Sequence, residues 1–141
     1  MNAALDGEPR SAPRALVVED SEHTAYLLAF MLERAGYAVT TAPNGRDAER
    51  VLSGEDPVDV VLLDLVLPHV SGFELLMQMR ENPRRRSTPV VVLSGKGLEA
   101  DVVRAFDLGA DDFVSKPFRP QELMARIRRL TDASRRAAPV P

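Results

Sequence analysis

Short β-branched apolar runs alternate along the chain with longer segments in which apolar residues recur every three or four positions. The short runs are typical of strands and the longer segments of amphipathic helices. Five such pairs follow one another, which predicts an α/β protein built from βα units around a parallel sheet. The predicted strands are 15–18, 37–42, 58–64, 89–93 and 113–115, and the predicted helices are 22–35, 44–53, 72–81, 99–108 and 120–130.

The first and third predicted strands are almost continuously apolar, and neither alternates between apolar and polar residues. Strands that are covered by helices on both faces of a parallel sheet have this pattern. We therefore expect both strands near the centre of the sheet. The segments 1–13 and 132–141 lack apolar periodicity and are rich in Ala, Pro, Ser and charged residues, so we expect flexible tails around one domain at 14–131.

Composition narrows the class of protein further. The chain has 141 residues, 45% of them apolar, which is enough for one buried core. A formal net charge of -3 gives no sign of direct nucleic acid binding, and the chain contains no cysteine for a disulfide or a thiolate site. Neither a signal peptide nor a membrane span is visible, so we expect a cytoplasmic protein without a membrane partner.

Polar side chains that could bind a ligand or react lie where the predicted strands end. Glu19 and Asp20 follow the first strand, Asp64 ends the third, Ser94 follows the fourth and Lys116 follows the fifth. Ligands of open parallel sheets bind beyond the carboxyl ends of the strands, so these side chains should converge. A single acid in such a place is more often a helix cap than a ligand, but five suitable residues at four strand ends point to a site.

Carboxylates that are forced together repel one another unless a cation lies among them, and Mg²⁺ is the hard divalent ion that suits oxygen ligands. Mn²⁺ could substitute. A carboxylate beside such an ion can attack a phosphoryl group, which makes Asp64 the candidate nucleophile. Ser94 and Lys116 could then each bind one oxygen of the phosphoryl group.

Four segments resemble the receiver-domain signature of response regulators in two-component signal transduction. They are VVED at 17–20, LDLVLP at 63–68, VLSG at 92–95 and GADDFVSKPF at 109–118. The resemblance covers about 14–131. It implies a flavodoxin-like (βα)5 doubly wound parallel sheet with strand order 2-1-3-4-5, and it identifies Asp64 as the phosphoacceptor.

The resemblance also implies a set of metal ligands. Asp20, Asp64 and the main-chain carbonyl of Val66 would hold Mg²⁺, and Glu19 would reach the ion through water. Many members of the family have Asp at the position of Glu19. The longer Glu side chain suits a water-mediated contact.

A switch is implied as well. Phosphorylation would draw Ser94 inward, Phe113 would fill the vacated space, and the surface formed by the fourth helix, the fifth strand and the fifth helix would change. The Lys116–Pro117 peptide bond would be cis. Gly95 stands where the family usually has Ala, which predicts a mobile loop there, and Val66 and Lys96 are the residues expected to influence the lifetime of the phosphoryl group.

The segment 118–130 is similar to receivers of the OmpR/PhoB subfamily, which dimerise through charge pairs. Here Asp107 would meet Arg128, and Asp112 would meet Arg126, across a phosphorylation-dependent homodimer interface. The alternative is that these arginines belong to a solvated helix face.

The implied role is a signalling switch and not an enzyme, beyond assistance to its own phosphorylation and dephosphorylation. The implied partners are a sensor histidine kinase or histidine phosphotransferase, and a downstream protein or a fused output domain. The segment after residue 130 is too short for an output module, so the chain is expected to be a stand-alone receiver or a receiver excised from a larger regulator.

Three other functions fit the sequence less well. A haloacid-dehalogenase-like phosphatase needs a second Asp two residues after the nucleophile, where this chain has Val66. In a flavodoxin, the acidic segment 19–22 would repel the flavin phosphate. A phosphorylation-independent scaffold receiver would not need the complete set of reactive residues that this chain carries.

Overall fold

The computed structural model describes residues 11–95 and 99–137 as five strands and five helices in strict alternation. The strands are β1 (Arg14–Val18), β2 (Ala38–Ala42), β3 (Val60–Asp64), β4 (Val90–Ser94) and β5 (Asp112–Ser115). The helices are α1 (Glu22–Arg34), α2 (Gly45–Ser53), α3 (Gly72–Glu81), α4 (Glu99–Asp107) and α5 (Pro120–Ala137). All strand pairs are parallel, in the order β2-β1-β3-β4-β5. The predicted flavodoxin-like fold and strand order are confirmed.

The core lies in two layers, one on each face of the sheet. Leu16 and Val18 of β1 point into the layer under α2, α3 and α4, whereas Ala15 and Val17 point into the layer under α1 and α5. Residues of β3 divide between the two layers in the same way. Every residue of β3 and β4 is buried. The near-continuous apolar runs therefore have the cause that the sequence predicts, which is burial on both faces.

Side chains cap the first turns of the three helices that follow β1, β2 and β3. Ser21, Asn44 and Ser71 each accept a hydrogen bond from a backbone N–H in the first turn of α1, α2 and α3. Such caps satisfy donors that the helix itself cannot pair. They fix the path of the chain beyond the carboxyl ends of the strands, where the candidate site lies.

Helix α5 is seven residues longer than the sequence predicts, because it ends at Ala137 and not at Leu130. Residues 132–137, expected in a flexible tail, are helical. Thr131 explains the extension: it is buried, its hydroxyl donates to the carbonyl of Ile127, and it accepts a hydrogen bond from the Tyr37 hydroxyl. This anchor is polar, so apolar periodicity could not reveal it. The predictions for 1–10, Lys96 and 138–141 lie outside the described residues.

No helix in the ranges 11–95 and 99–137 combines the length and the apolar character needed to cross a bilayer.

Candidate functional site

The acidic residues that follow β1 and β3 meet at the carboxyl edge of the sheet. Val18 pairs with Leu63 in the register of these neighbouring strands, so Glu19 and Asp64 come next to each other. One carboxylate oxygen from each of Glu19, Asp20 and Asp64 lies within 4.8 Å of the others. Glu19 and Asp64 are buried, whereas Asp20 is exposed. The convergence of acids that the strand ends predict is therefore present.

Lys116 brings a positive charge into this acidic cluster. Its ammonium nitrogen Nζ lies 2.6 Å from Oε1 of Glu19 and 3.0 Å from Oδ2 of Asp64. The Lys116 side chain is 23% exposed and the Glu19 side chain only 3%, so the ammonium can still meet a ligand from solvent. From the sequence, Lys116 is expected to bind a phosphoryl oxygen, and Glu19 is expected to reach the metal ion through water. It does not predict their direct ion pair.

Burial and charge pairing act in opposite directions on these groups. Burial raises the pKa of Glu19 above its ordinary value, although hydrogen bonds from Lys116 and from the backbone of Ser21 oppose the rise. Burial also disfavours the charge of Lys116, but hydrogen bonds to Glu19 and Asp64 outweigh it, so the pKa of Lys116 is raised. The ammonium is thus firmly charged and holds the buried carboxylates together.

Backbone donors fix the orientation of both buried carboxylates. The N–H of Ser21 donates to Oε2 of Glu19 at 3.1 Å, and the N–H of Val66 donates to Oδ1 of Asp64 at 3.1 Å. Each carboxylate therefore has one oxygen on a backbone donor and the other on Lys116. Val66 itself is 76% exposed and stands at the mouth of the site.

Gly72 packs closely against the backbone of Asp64 and Leu65. Its N–H donates to the carbonyl of Leu65 at 3.1 Å, and a Cβ atom at this position would overlap the carbonyl oxygen of Asp64 and lie 2.7 Å from Cα of Leu65. Only glycine lets the start of α3 approach the loop after β3 so closely. From the sequence, Gly72 is predicted only as the first residue of the helix 72–81, because no local pattern shows what its backbone packs against.

The two predicted switch residues lie on neighbouring strands. Ser94 ends β4 and is 4% exposed, and Phe113 of β5 is paired in register with Val92. Phe113 is partly buried and packs against the core layer under α2, α3 and α4. The N–H of Lys116 donates to the carbonyl of Ser94, and the Lys116–Pro117 peptide bond is cis, as expected.

The residues predicted for a dimer face do not all lie together. Within the single chain, the guanidinium of Arg126 donates to both carboxylate oxygens of Asp112, at 3.2 and 3.0 Å. Asp107 is exposed at the end of α4. Arg128 lines a groove between α1 and α5, on the side of α5 that faces away from Asp112. Residues two positions apart point to nearly opposite sides of a helix, so one interface cannot readily use both arginines.

The sequence matches the model of a known protein family. The model described as "Response regulator receiver domain" matches residues 15–128. The alkaline phosphatase synthesis transcriptional regulatory protein PhoP of Bacillus subtilis is 40% identical over 89% of this chain and 51% of its own length. The phosphate regulon transcriptional regulatory protein PhoB of Rhizobium meliloti is 42% identical over 90% of this chain and 54% of its own length. The chain thus spans about half the length of these curated relatives.

Solved structures resemble the whole described domain. The receiver domain of a signal transduction histidine kinase from Syntrophus aciditrophicus is 34% identical with a TM-score of 0.82, over 92% of this chain and 98% of that chain. The receiver domain of a sensor histidine kinase from Pseudomonas aeruginosa PAO1 has a TM-score of 0.79 at 27% identity, over 86% of this chain and 98% of that chain. The latter was crystallised with a magnesium ion in its active-site cleft.

Proposed function

Because this chain belongs to the response regulator receiver domain family, we propose that Asp64 accepts a phosphoryl group from a phosphohistidine of a partner protein. The observation that carries the proposal is the convergence of the Glu19, Asp20 and Asp64 carboxylates with the Lys116 ammonium. In the transfer, a carboxylate oxygen of Asp64 forms a bond to phosphorus while the P–N bond breaks. The imidazole nitrogen keeps the electron pair of that bond and takes up a proton from solvent, so the donor leaves as a neutral imidazole.

The donor set fits a hard divalent cation. Three carboxylates supply oxygen atoms within 4.8 Å of one another, and oxygen ligands suit Mg²⁺. Asp20, Asp64 and the main-chain carbonyl of Val66 would hold the ion, and Glu19 would reach it through water. When bound, Mg²⁺ neutralises charge that develops on the transferring group. Mn²⁺ has similar ligand preferences and could replace it.

The other residues of the site bind the product. The ammonium of Lys116 already contacts Oδ2 of Asp64, so it is in place to pair with an oxygen of the phosphoryl group. The Ser94 hydroxyl, at the end of the strand next to β3, would donate a hydrogen bond to another oxygen of the same group. The phosphoryl group carries about two negative charges where the carboxylate of Asp64 carries one, and the added charge would attract both side chains.

We expect the change at Ser94 to be transmitted through Phe113 to the surface made by α4, β5 and α5. The domain would then act as a switch that a sensor histidine kinase or a histidine phosphotransferase sets in the cytoplasm. A downstream protein or an output domain would recognise the changed surface. A steady turnover of substrate is not part of this role.

The test of the phosphoacceptor is intact-protein mass spectrometry after incubation with acetyl phosphate and Mg²⁺. The wild-type protein should gain one phosphoryl group, and Asp64→Ala and Asp64→Asn should gain none, because the nucleophilic oxygen is missing. Asp59→Asn is the matched control, since Asp59 precedes the same strand but bonds the backbone of Arg14, far from the site. Equal labelling of wild type and both Asp64 variants would refute the proposal.

Phosphorylation-dependent dimerisation through α4, β5 and α5 is a further part of the proposal. Because Arg126 is paired with Asp112 inside one chain, dimerisation would exchange this pair for the same pair between two chains. Beryllofluoride, which mimics the phosphoryl group, should raise the mass measured by light scattering above that of untreated protein. Arg126→Glu should abolish the rise, and Arg129→Glu, a change of the same charge on an exposed neighbour, should leave it intact. If beryllofluoride leaves the mass of the wild-type protein unchanged, the proposed phosphorylation-dependent dimerisation is contradicted.

A further inference from the structure

The first residue of α2 packs against the β3–α3 loop (residues 65–71) so closely that no side chain fits between them. Gly45 is buried, and its N–H donates to the carbonyl of Pro68 in this loop at 3.2 Å. A Cβ atom on Gly45 would lie 2.6 Å from Cβ of Val70 and would overlap the carbonyl oxygen of Val70. The φ angle of Gly45 is not positive, so the close approach and not the backbone conformation requires glycine here.

The same loop carries a backbone group of the candidate metal site, the main-chain carbonyl of Val66. The Val66 side chain is 76% exposed, so its packing contributes little to holding this carbonyl in place. His69, in the same loop, has a φ angle of 73°, which is uncommon for residues other than glycine and costs free energy. A loop in such a conformation keeps its path only where surrounding contacts impose it.

The contact with Gly45 is made close to Val66 along the chain. The Pro68 carbonyl accepts the N–H of Gly45 and also that of Val70, at 3.0 Å, so the start of α2 and the turn of the loop share one acceptor. Leu67, which separates Pro68 from Val66, is partly buried against the core layer under α2, α3 and α4. A shift of the loop at Gly45 is therefore carried to the Val66 carbonyl.

We propose that Gly45 is a positioning residue for the magnesium site. Without a side chain at this position, α2 can lie against the β3–α3 loop, and the loop in turn fixes where the Val66 carbonyl lies relative to Asp64. Residues that orient metal ligands without touching the ion typically change the metal affinity by about tenfold to a hundredfold when they are replaced. The proposal rests on the proposed function in one respect, since it takes the Val66 carbonyl as a ligand of Mg²⁺.

Isothermal titration of the full chain with Mg²⁺, without a phosphoryl donor, tests this role. Gly45→Ala should raise the dissociation constant of Mg²⁺ by at least about tenfold, because the added Cβ pushes the loop away from α2. Gly54→Ala is the matched control, since it makes the same change at the other end of α2, where a Cβ would lie 3.3 Å from the carbonyl oxygen of Val51. This variant should bind Mg²⁺ like wild type, and circular dichroism should show that both variants are folded.

Hydrogen exchange of the Gly72 amide reports the position of the loop without any metal. This N–H donates to the carbonyl of Leu65 at 3.1 Å, which links the two ends of the loop. In metal-free Gly45→Ala the exchange of the Gly72 amide should be accelerated by a larger factor than that of the Leu63 amide in β3. A variant that is only less stable overall would accelerate the exchange of both amides by the same factor.

A second pair of variants decides the question if Gly45→Ala does not fold. Val70 and Val51 are both partly buried against the same core layer, but only Val70 belongs to the loop. Val70→Ala removes packing that holds the loop and should raise the dissociation constant of Mg²⁺ several-fold. Val51→Ala removes a similar contact from α2 and should leave this dissociation constant unchanged. Equal dissociation constants for these two variants would contradict the proposal.

Two further results would overturn the positioning role. One is a folded Gly45→Ala variant that binds Mg²⁺ as tightly as wild type, and the other is a wild-type protein that binds no Mg²⁺. Labelling with acetyl phosphate separates these outcomes from the fate of the phosphoacceptor proposal. If wild type and Gly45→Ala are both labelled at Asp64 and bind Mg²⁺ equally, only the positioning role fails. If wild type binds Mg²⁺ more tightly than Gly45→Ala but is not labelled, the positioning role stands and the phosphoacceptor proposal fails.

Discussion

Replacing Arg85 with methionine will lower the free energy of unfolding by about 3 kcal/mol, because it removes the shortest side-chain hydrogen bonds to carbonyl groups at the end of α2. Arg85 is 1% exposed, and burial lowers the pKa of its guanidinium. Its Nε donates to the carbonyl of Leu52 at 3.0 Å and one NH2 group to that of Gly54 at 2.9 Å. These carbonyls lie at the end of α2, where the helix itself supplies no donors. Methionine fills a similar volume but donates nothing.

Arg84→Met is the control for this prediction. Arg84 is exposed, and its contact with the carbonyl of Gly54 is long, at 3.3 Å. Its replacement should change the free energy of unfolding by less than about 0.5 kcal/mol. Urea denaturation measures both variants. An equal decrease in the free energy of unfolding for the two variants would show that the burial of Arg85 does not increase its contribution to stability.

Gly72→Ala is expected to destabilise the fold by about 3 kcal/mol or more and to reduce phosphorylation, because the added Cβ overlaps the carbonyl of Asp64. The backbone of α3 must move away from the loop after β3, and the movement displaces the phosphoacceptor. Urea denaturation gives the loss of stability. The rate of labelling by acetyl phosphate, measured on the folded fraction, gives the effect on the site.

Gly95→Ala provides the comparison for Gly72. A Cβ at Gly95 would meet no atom of the described residues within 4 Å, and Gly95 has no positive φ angle. The free energy of unfolding of this variant should stay within about 0.5 kcal/mol of wild type. If Gly72→Ala were as stable as Gly95→Ala, the close approach seen at Asp64 would not exist in the protein.

The sheet and the acidic cluster could be predicted because their causes are local patterns in the sequence. The runs at 15–18 and 58–64 are apolar since helices cover both faces of the sheet, and residues at the ends of parallel strands meet at one edge. The positions of Glu19, Asp64 and Lys116 follow from that rule alone. The helix caps at Ser21 and Asn44 follow from side-chain chemistry in the same way.

The individual side-chain hydrogen bonds and ion pairs between segments distant in sequence could not be predicted. Three consecutive arginines occupy 84–86, and nothing local distinguishes buried Arg85 from its exposed neighbours. The pairing of Arg126 with Asp112 inside one chain, and the place of Arg128 beside α1, depend on how α5 is rotated against the sheet. The direct ion pair of Lys116 with Glu19 depends on the reach of a Glu side chain into a site that only the fold creates.

The central claim, that Asp64 is the residue that takes the phosphoryl group, can be tested most directly by locating the group in the chain. Borohydride reduces an aspartyl phosphate to homoserine, and peptide mass spectrometry then reports the modified position. After treatment with acetyl phosphate and Mg²⁺, homoserine should appear at position 64 and at neither Asp20 nor Asp59. Homoserine at another aspartate, with Asp64 unmodified, would contradict the assignment.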